Sequence, residues 1–301
     1  MRSLSQGGRG DTARCPAMVR QMRADGSSVS EFRFTSPHPG AAPLTAAVLS
    51  PATPAPEAAH RGVLVVLAAD RMSLLEGPQG QLVADTWVGA GYHVVGLDLP
   101  SHGDREDPLD ESLGTDGIAA WAAALAVGVD RFEEFVAEGS ALIDALIGLE
   151  LGVAGRIFVY GVSRGGYMAL RLAAADERVA AVAGIAPVTD WRYLSEFAAI
   201  AESEAVAAVA LEGFADKLAA RPVWLAIGNH DSRVSSAACL RLATAILELE
   251  ALEGSGVGEE DSQLVLHLVD DSPGHSLADE WRTEGARWLL RLAQAAGSSR
   301  L

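Results

Sequence analysis

The chain has 301 residues, 49 % of them hydrophobic, which is enough for one large α/β domain or two small ones with a sizeable core. Its 40 acidic against 23 basic residues give a formal net charge of −17, which argues against a nucleic-acid partner, because phosphate backbones are bound by basic surface. No apolar run approaches the roughly 18–20 residues that span a bilayer, and residues 1–23 lack the apolar centre of a secretory signal, so a soluble, cytoplasmic protein is expected.

Taken in order, residues 1–27 are rich in Gly, Ser and Arg and aperiodic, and read as a flexible tail. The stretch 29–35 alternates apolar and polar residues as a strand would, and 44–49 is a second strand after a loop at 36–43. A Pro-containing loop at 50–61 leads to 62–69, a continuous apolar run of the kind found in central parallel strands covered on both faces. A helix is predicted at 79–89, a strand at 92–98, and then the loop Asp98-Leu99-Pro100-Ser101-His102-Gly103. Residues 104–130 turn from acidic to Ala-rich around Trp121, and 132–149 has helical periodicity. Strands follow at 157–160, 179–185, 222–227 and 263–269, with helices after 163, at 235–253 and at 277–296. The Ala- and Glu-rich segment 191–220 is longer than an ordinary connection and reads as a small helical cap; 254–261 reads as a polar loop. Strands alternating with helices predict a doubly wound, mostly parallel eight-stranded sheet over residues 28–301, with functional groups at the carboxyl ends of its strands.

The chemistry is concentrated at Ile157-Phe158-Val159-Tyr160-Gly161-Val162-Ser163-Arg164-Gly165-Gly166. Strand, G-x-S-x-G and helix in succession form a nucleophile elbow. The turn is so tight that the residues two before and two after the serine must be small, which Gly161 and Gly165 satisfy. The amide of Arg164 then lies at a helix N-terminus, where N–H groups lack partners within the helix and favour negative charge. Cys15 and Cys239 are the only cysteines, so neither a disulfide framework nor a metal cluster is expected.

The elbow, the Asp98–Gly103 loop, the Gly228-Asn229-His230-Asp231 strand end and the Pro273-Gly274-His275 loop occur in the order found in α/β-hydrolases, and the chain resembles that family from about residue 29 onward. The last three features resemble esterases and the catalytic domains of acyl-peptide hydrolases. The resemblance implies Ser163 as nucleophile, His275 as its base and Asp231 as the acid that orients the imidazole. Asp190, at the end of the preceding strand, is the rival acid. Asp231 also suits a cap for the helix near 235. The second oxyanion donor is expected from the loop after the first central strand, where many members have His-Gly and this chain has Ala68-Ala69-Asp70-Arg71-Met72. The amide of Asp70, with that of Arg71 one step behind, is the expected partner of the Arg164 amide. Arg71, Met72, Trp121 and Trp191 are candidates for a substrate pocket; for the tryptophans, packing of the cap is an equal alternative.

The resemblance implies a carboxylesterase-like serine hydrolase acting on a small ester or acyl substrate, without metal or cofactor. A peptidase acting on short or acylated peptides and a non-catalytic binding protein of the same fold are the alternatives, the second prompted by the altered oxyanion loop.

Overall fold

The computed structural model describes residues 18–54, 62–77, 80–105, 108–115, 117–253 and 263–298. Within them runs a sheet in the order β1-β2-β3-β5-β4-β6-β7-β8-β9. The strands are β1 (Met18–Met22), β2 (Ser28–Phe34), β3 (Leu44–Ser50), β4 (Val63–Leu67), β5 (His93–Leu97), β6 (Ile157–Val162), β7 (Val179–Ile185), β8 (Val223–Gly228) and β9 (Leu264–Val269). β1, β2 and β3 pair antiparallel, and β3 joins β5 antiparallel; every pairing from β5 through β4, β6, β7 and β8 to β9 is parallel. The sheet therefore has nine strands rather than the eight expected. The added strand is β1, whose five residues lie inside the segment read as a tail: Met18–Met22 is set in register by its pairing with β2, a contact that sequence periodicity does not encode. Residues 1–17 of the expected tail and the loop expected at 254–261 lie outside the described residues.

The parallel strands form because their apolar runs are buried from both sides. All five residues of β4 and all six of β8 are buried. One layer contains α1 (Gln81–Gly89) and α9 (Asp279–Ser298), which pack on each other, with α9 also against β7. On the other face α5 (Arg164–Ala175) packs on β6 and β7 beneath α4 (Arg131–Gly148). Asp130 starts α4: its carboxylate accepts the amides of Phe132 and Glu133 at 2.9 and 3.1 Å. The same helix buries Phe132, Phe135, Leu142, Ile143 and Leu146 along one face. Between β5 and α4 lie two short helices, α2 (Pro108–Leu113) and α3 (Gly117–Ala126).

Between β7 and β8 the chain makes three 3-10 turns and two five-residue helices, α6 (Glu204–Ala208) and α7 (Ala215–Ala219), in the segment expected to cap the site. Trp191 and Phe197 anchor this segment, both completely buried. The helix α8 (Ser236–Glu253) follows β8. Among the described residues no helix is long and apolar enough to cross a membrane.

Candidate active site

Ser163 sits between β6 and α5 at φ 55°, ψ −118°, a conformation that costs a non-glycine residue about 1–3 kcal/mol and persists only where its surroundings over-determine it. Here they do. Its amide donates to the carbonyl of Ile185 at 2.9 Å, and its own carbonyl accepts from the amides of Tyr167 and Val188, each at 3.1 Å. The two elbow glycines are sterically obligatory. A Cβ on Gly161 would overlap the carbonyl of Gly165, and a Cβ on Gly165 would overlap the carbonyl of Leu67 and lie 2.6 Å from the amide of Ala68. Gly165 thus brings the end of β4 against the elbow, which sets the loop beyond β4 beside Ser163.

Asp231 lies three residues after β8, and His275 in the loop between β9 and α9. These loops are locked to each other. The amide of His230 donates to the carbonyl of Pro273 at 2.8 Å, and a side chain at Gly228 would overlap the carbonyls of Pro273 and Gly274. Asp231 divides its carboxylate between two tasks. Oδ1 accepts the amides of Arg233 and Val234 at 2.9 and 3.1 Å, closing the turn into α8, and Oδ2 accepts from His275 Nδ1 at 2.8 Å. Burial pushes the Asp231 carboxyl up, but the hydrogen bond from His275 and the amide bonds outweigh it, and the group is held below the ordinary carboxylate range. On the other side of the ring, His275 Nε2 is 3.0 Å from Ser163 Oγ. Since Asp231 can only accept, Nδ1 carries the imidazole proton and Nε2 presents a lone pair to the serine hydroxyl. Asp190 makes no such contact: it caps its own turn through the amide of Arg192 at 3.0 Å, and that residue's guanidinium occupies both carboxylate oxygens.

Beyond β4, the carboxylate of Asp70 turns back on its own loop, accepting the amides of Met72 and Ser73 at 2.9 and 3.0 Å and the Ser73 hydroxyl at 2.6 Å. Burial raises its pKa, but these bonds bring it below the usual value, so it is an anion consumed by its own turn rather than a partner of Arg71 or Arg164. The amide of Arg71 is taken by Asp98 Oδ1 at 2.6 Å. Of the loop amides expected as oxyanion donors, Arg71 is thereby occupied, and that of Asp70 is the remaining candidate.

Comparison with known proteins follows the same lines. Residues 79–221 match the family model described as serine aminopeptidase, S33. No protein of curated function matches the sequence. Among solved structures, acetyl xylan esterase 1 from Thermoanaerobacterium sp. JW/SL YS485 superposes with a TM-score of 0.67 at 15 % identity, over 92 % of this chain and 87 % of that one. An esterase from an Arctic intertidal metagenomic library superposes at 0.63 with 19 % identity, over 93 % and 99 %. A puromycin-hydrolyzing peptidase of Mycobacterium tuberculosis superposes at 0.63 with 18 % identity; it covers 90 % of this chain, which spans 40 % of its length. The chain has the α/β-hydrolase fold.

Within this α/β-hydrolase fold the residues expected to line a pocket are placed differently. Trp121 and Trp191 are completely buried, their rings 5.4 Å apart within a cluster that includes Phe132, Tyr167 and Phe197. They pack the segment between β7 and β8 onto the body and do not reach a surface that a substrate could touch. Large apolar side chains in an insertion serve either purpose, and their spacing does not say which. Arg71 is likewise buried, its guanidinium held by Asp98, Glu31 and Asp104. Met72 packs partly buried against the core. Two residues of the Asp98–Gly103 loop, neither of them given a catalytic role from sequence, contact the candidate site. Asp98 pins the loop after β4 through Arg71, and His102 meets the guanidinium of Arg164 at 2.6 Å. Both stand in the loop after β5, whose resemblance was visible but whose role was not.

Proposed function

We propose that this chain is a serine hydrolase of the α/β-hydrolase superfamily that cleaves carboxylic esters through an acyl-enzyme on Ser163. The observation that carries the reading is the unbroken chain from Asp231 Oδ2 through His275 to Ser163 Oγ, with links of 2.8 and 3.0 Å, ending on a serine in a strained backbone conformation. Ser163 Oγ attacks the ester carbonyl as His275 Nε2 takes its proton. The amides of Arg164 and Asp70 hold the oxygen that becomes negative. When the tetrahedral intermediate collapses, His275 returns the proton to the departing alcohol. The imidazole then draws a proton from water, the hydroxide attacks the acyl carbonyl, and the acid leaves as Ser163 regains its proton. Asp231 keeps the imidazole in the tautomer each step needs and stabilises the imidazolium. In this reading 191–220 is a cap, tied to the Asp231 loop by the ion pair of Arg233 with Glu196 at 2.5 Å, and the reaction is a cytoplasmic one.

The match to a family of serine aminopeptidases favours a second reading, cleavage of short peptides or amides by the same residues. Relative kcat/KM on matched acyl esters and aminoacyl amides separates the two; faster turnover of the amides gives the second reading precedence.

The test of the chemistry itself is labelling with a fluorophosphonate probe, located by mass spectrometry. The expected result is a single adduct on Ser163, absent from Ser163→Ala. A folded protein that does not react, or reacts elsewhere, overturns the proposal in favour of a binding protein.

A further inference from the structure

Arg164 is the first residue of α5 and directly follows the proposed nucleophile. Its guanidinium reaches across the carboxyl ends of the strands, with Nη1 2.6 Å from His102 Nε2. That partner is an imidazole, not an anion. His102 Nδ1 is 2.7 Å from the carbonyl of Pro100, which can only accept, so Nδ1 bears the proton and Nε2 offers a lone pair to the arginine. No carboxylate pairs with Arg164 among the described residues. Glu196, the acid whose field reaches it, is taken by both guanidinium nitrogens of Arg233 at 2.8 and 2.5 Å.

This is unusual in a chain with a net charge of −17, where buried and half-buried arginines meet acids: Arg71 with Asp98, Arg105 with Glu138, Arg178 with Asp176. Arg221, the other arginine whose pKa burial lowers, spends its donors on the carbonyls of Lys217, Asp176 and Val179. Among the described residues Arg164 has no comparable set of acceptors. Burial lowers its pKa, and the neighbouring charge of Arg233 lowers it further, so the cation is left under-compensated beside Ser163.

We infer that Arg164 determines specificity by binding a free carboxylate on the substrate, so that the preferred esters are those bearing a second, ionised carboxyl group. The inference rests on the hydrolase reading above and names its substrate class. A planar guanidinium fork matches a carboxylate through two parallel bonds, and half-burial strengthens them. A dianionic phosphate would ask for more positive charge than this site offers, since Arg233 is already committed to Glu196.

Binding is read without turnover in a Ser163→Ala background, with and without Arg164→Gln, by ligand-observed NMR or calorimetry. Monomethyl glutarate places the carboxylate on the acyl side and acetoxyacetate places it on the alcohol side. Methyl pentanoate is the uncharged reference. The expected result is that one charged ester binds more tightly than methyl pentanoate, and that Arg164→Gln weakens it by about 30-fold, the size of a lost charge-assisted hydrogen bond. The arm that responds tells which side of the ester carries the charge. Equal affinity of both charged esters for the two variants, or no preference over methyl pentanoate, overturns the inference. Arg164-dependent binding of a charged ester that the unmodified protein does not hydrolyse would instead reject the hydrolase reading and leave the carboxylate site standing.

Discussion

Asp231→Asn is expected to lower kcat on the best ester by about four orders of magnitude while the protein stays folded. The reason lies in the division of labour within one carboxylate. Oδ1 closes the turn through the amides of Arg233 and Val234, and an asparagine carbonyl can still accept both. Oδ2 faces His275 Nδ1 at 2.8 Å, and there the substitution puts an NH2 group that can only donate. The imidazole must then present a lone pair at Nδ1 and carry its proton on Nε2, where it no longer accepts from Ser163 Oγ. Steady-state kinetics together with a melting curve check both halves of the expectation. Activity within about tenfold of the parent would remove Asp231 from the mechanism. Asp190 could not readily replace it, because Arg192 already holds both its oxygens.

The largest stability loss is expected at Asp98→Ala, about 3–5 kcal/mol by urea unfolding, the range for removing one partner of a buried ion pair. The Asp98 and Arg71 side chains are only 5 % and 7 % exposed. Without Asp98 the guanidinium keeps Glu31, at 25 % exposure, and Asp104, at 80 %, neither of which compensates a buried cation as fully. The amide of Arg71 loses its acceptor in the same stroke, and with it the anchor of the proposed oxyanion loop, so the rate of fluorophosphonate labelling should fall as well. Adding Arg71→Met should recover part of the stability, since no charge then remains buried without its partner, but not the labelling rate. A loss below about 1 kcal/mol for Asp98→Ala, the scale of an exposed ion pair, would show the pair to be dispensable.

The parts of this molecule that could be read from sequence are those whose causes are local. The elbow announces itself because its sterics demand Gly161 and Gly165 within four residues of each other, and the central strands because burial on both faces leaves unbroken apolar runs. Asp231 and His275 were proposed from a resemblance in short motifs and their order, and the structure brings their side chains together with Ser163. What escaped depends on contacts distant in sequence. β1 is a strand because β2 pairs with it, and its five residues in isolation carry no period. Trp121 and Trp191, 70 positions apart, face each other in the interior, although either could have lined a cleft. The Arg71–Asp98 pair joins the ends of β4 and β5, and only the parallel register of those strands brings the two residues together.

The interlocking glycines have a mechanical consequence. Gly165 rivets the elbow to the end of β4, and Gly228 rivets the Asp231 loop to the His275 loop. The proposed site is therefore a joint between two blocks, which meet through β7 and across the 3.0 Å gap from His275 to Ser163. A slide of about 1 Å between the blocks would break the proton path without disturbing any bond inside either block, and a misplacement of that size is worth about a hundredfold in rate. Turnover should then be the most sensitive gauge of shear in this sheet, disappearing at denaturant concentrations where the circular dichroism of its helices is still intact.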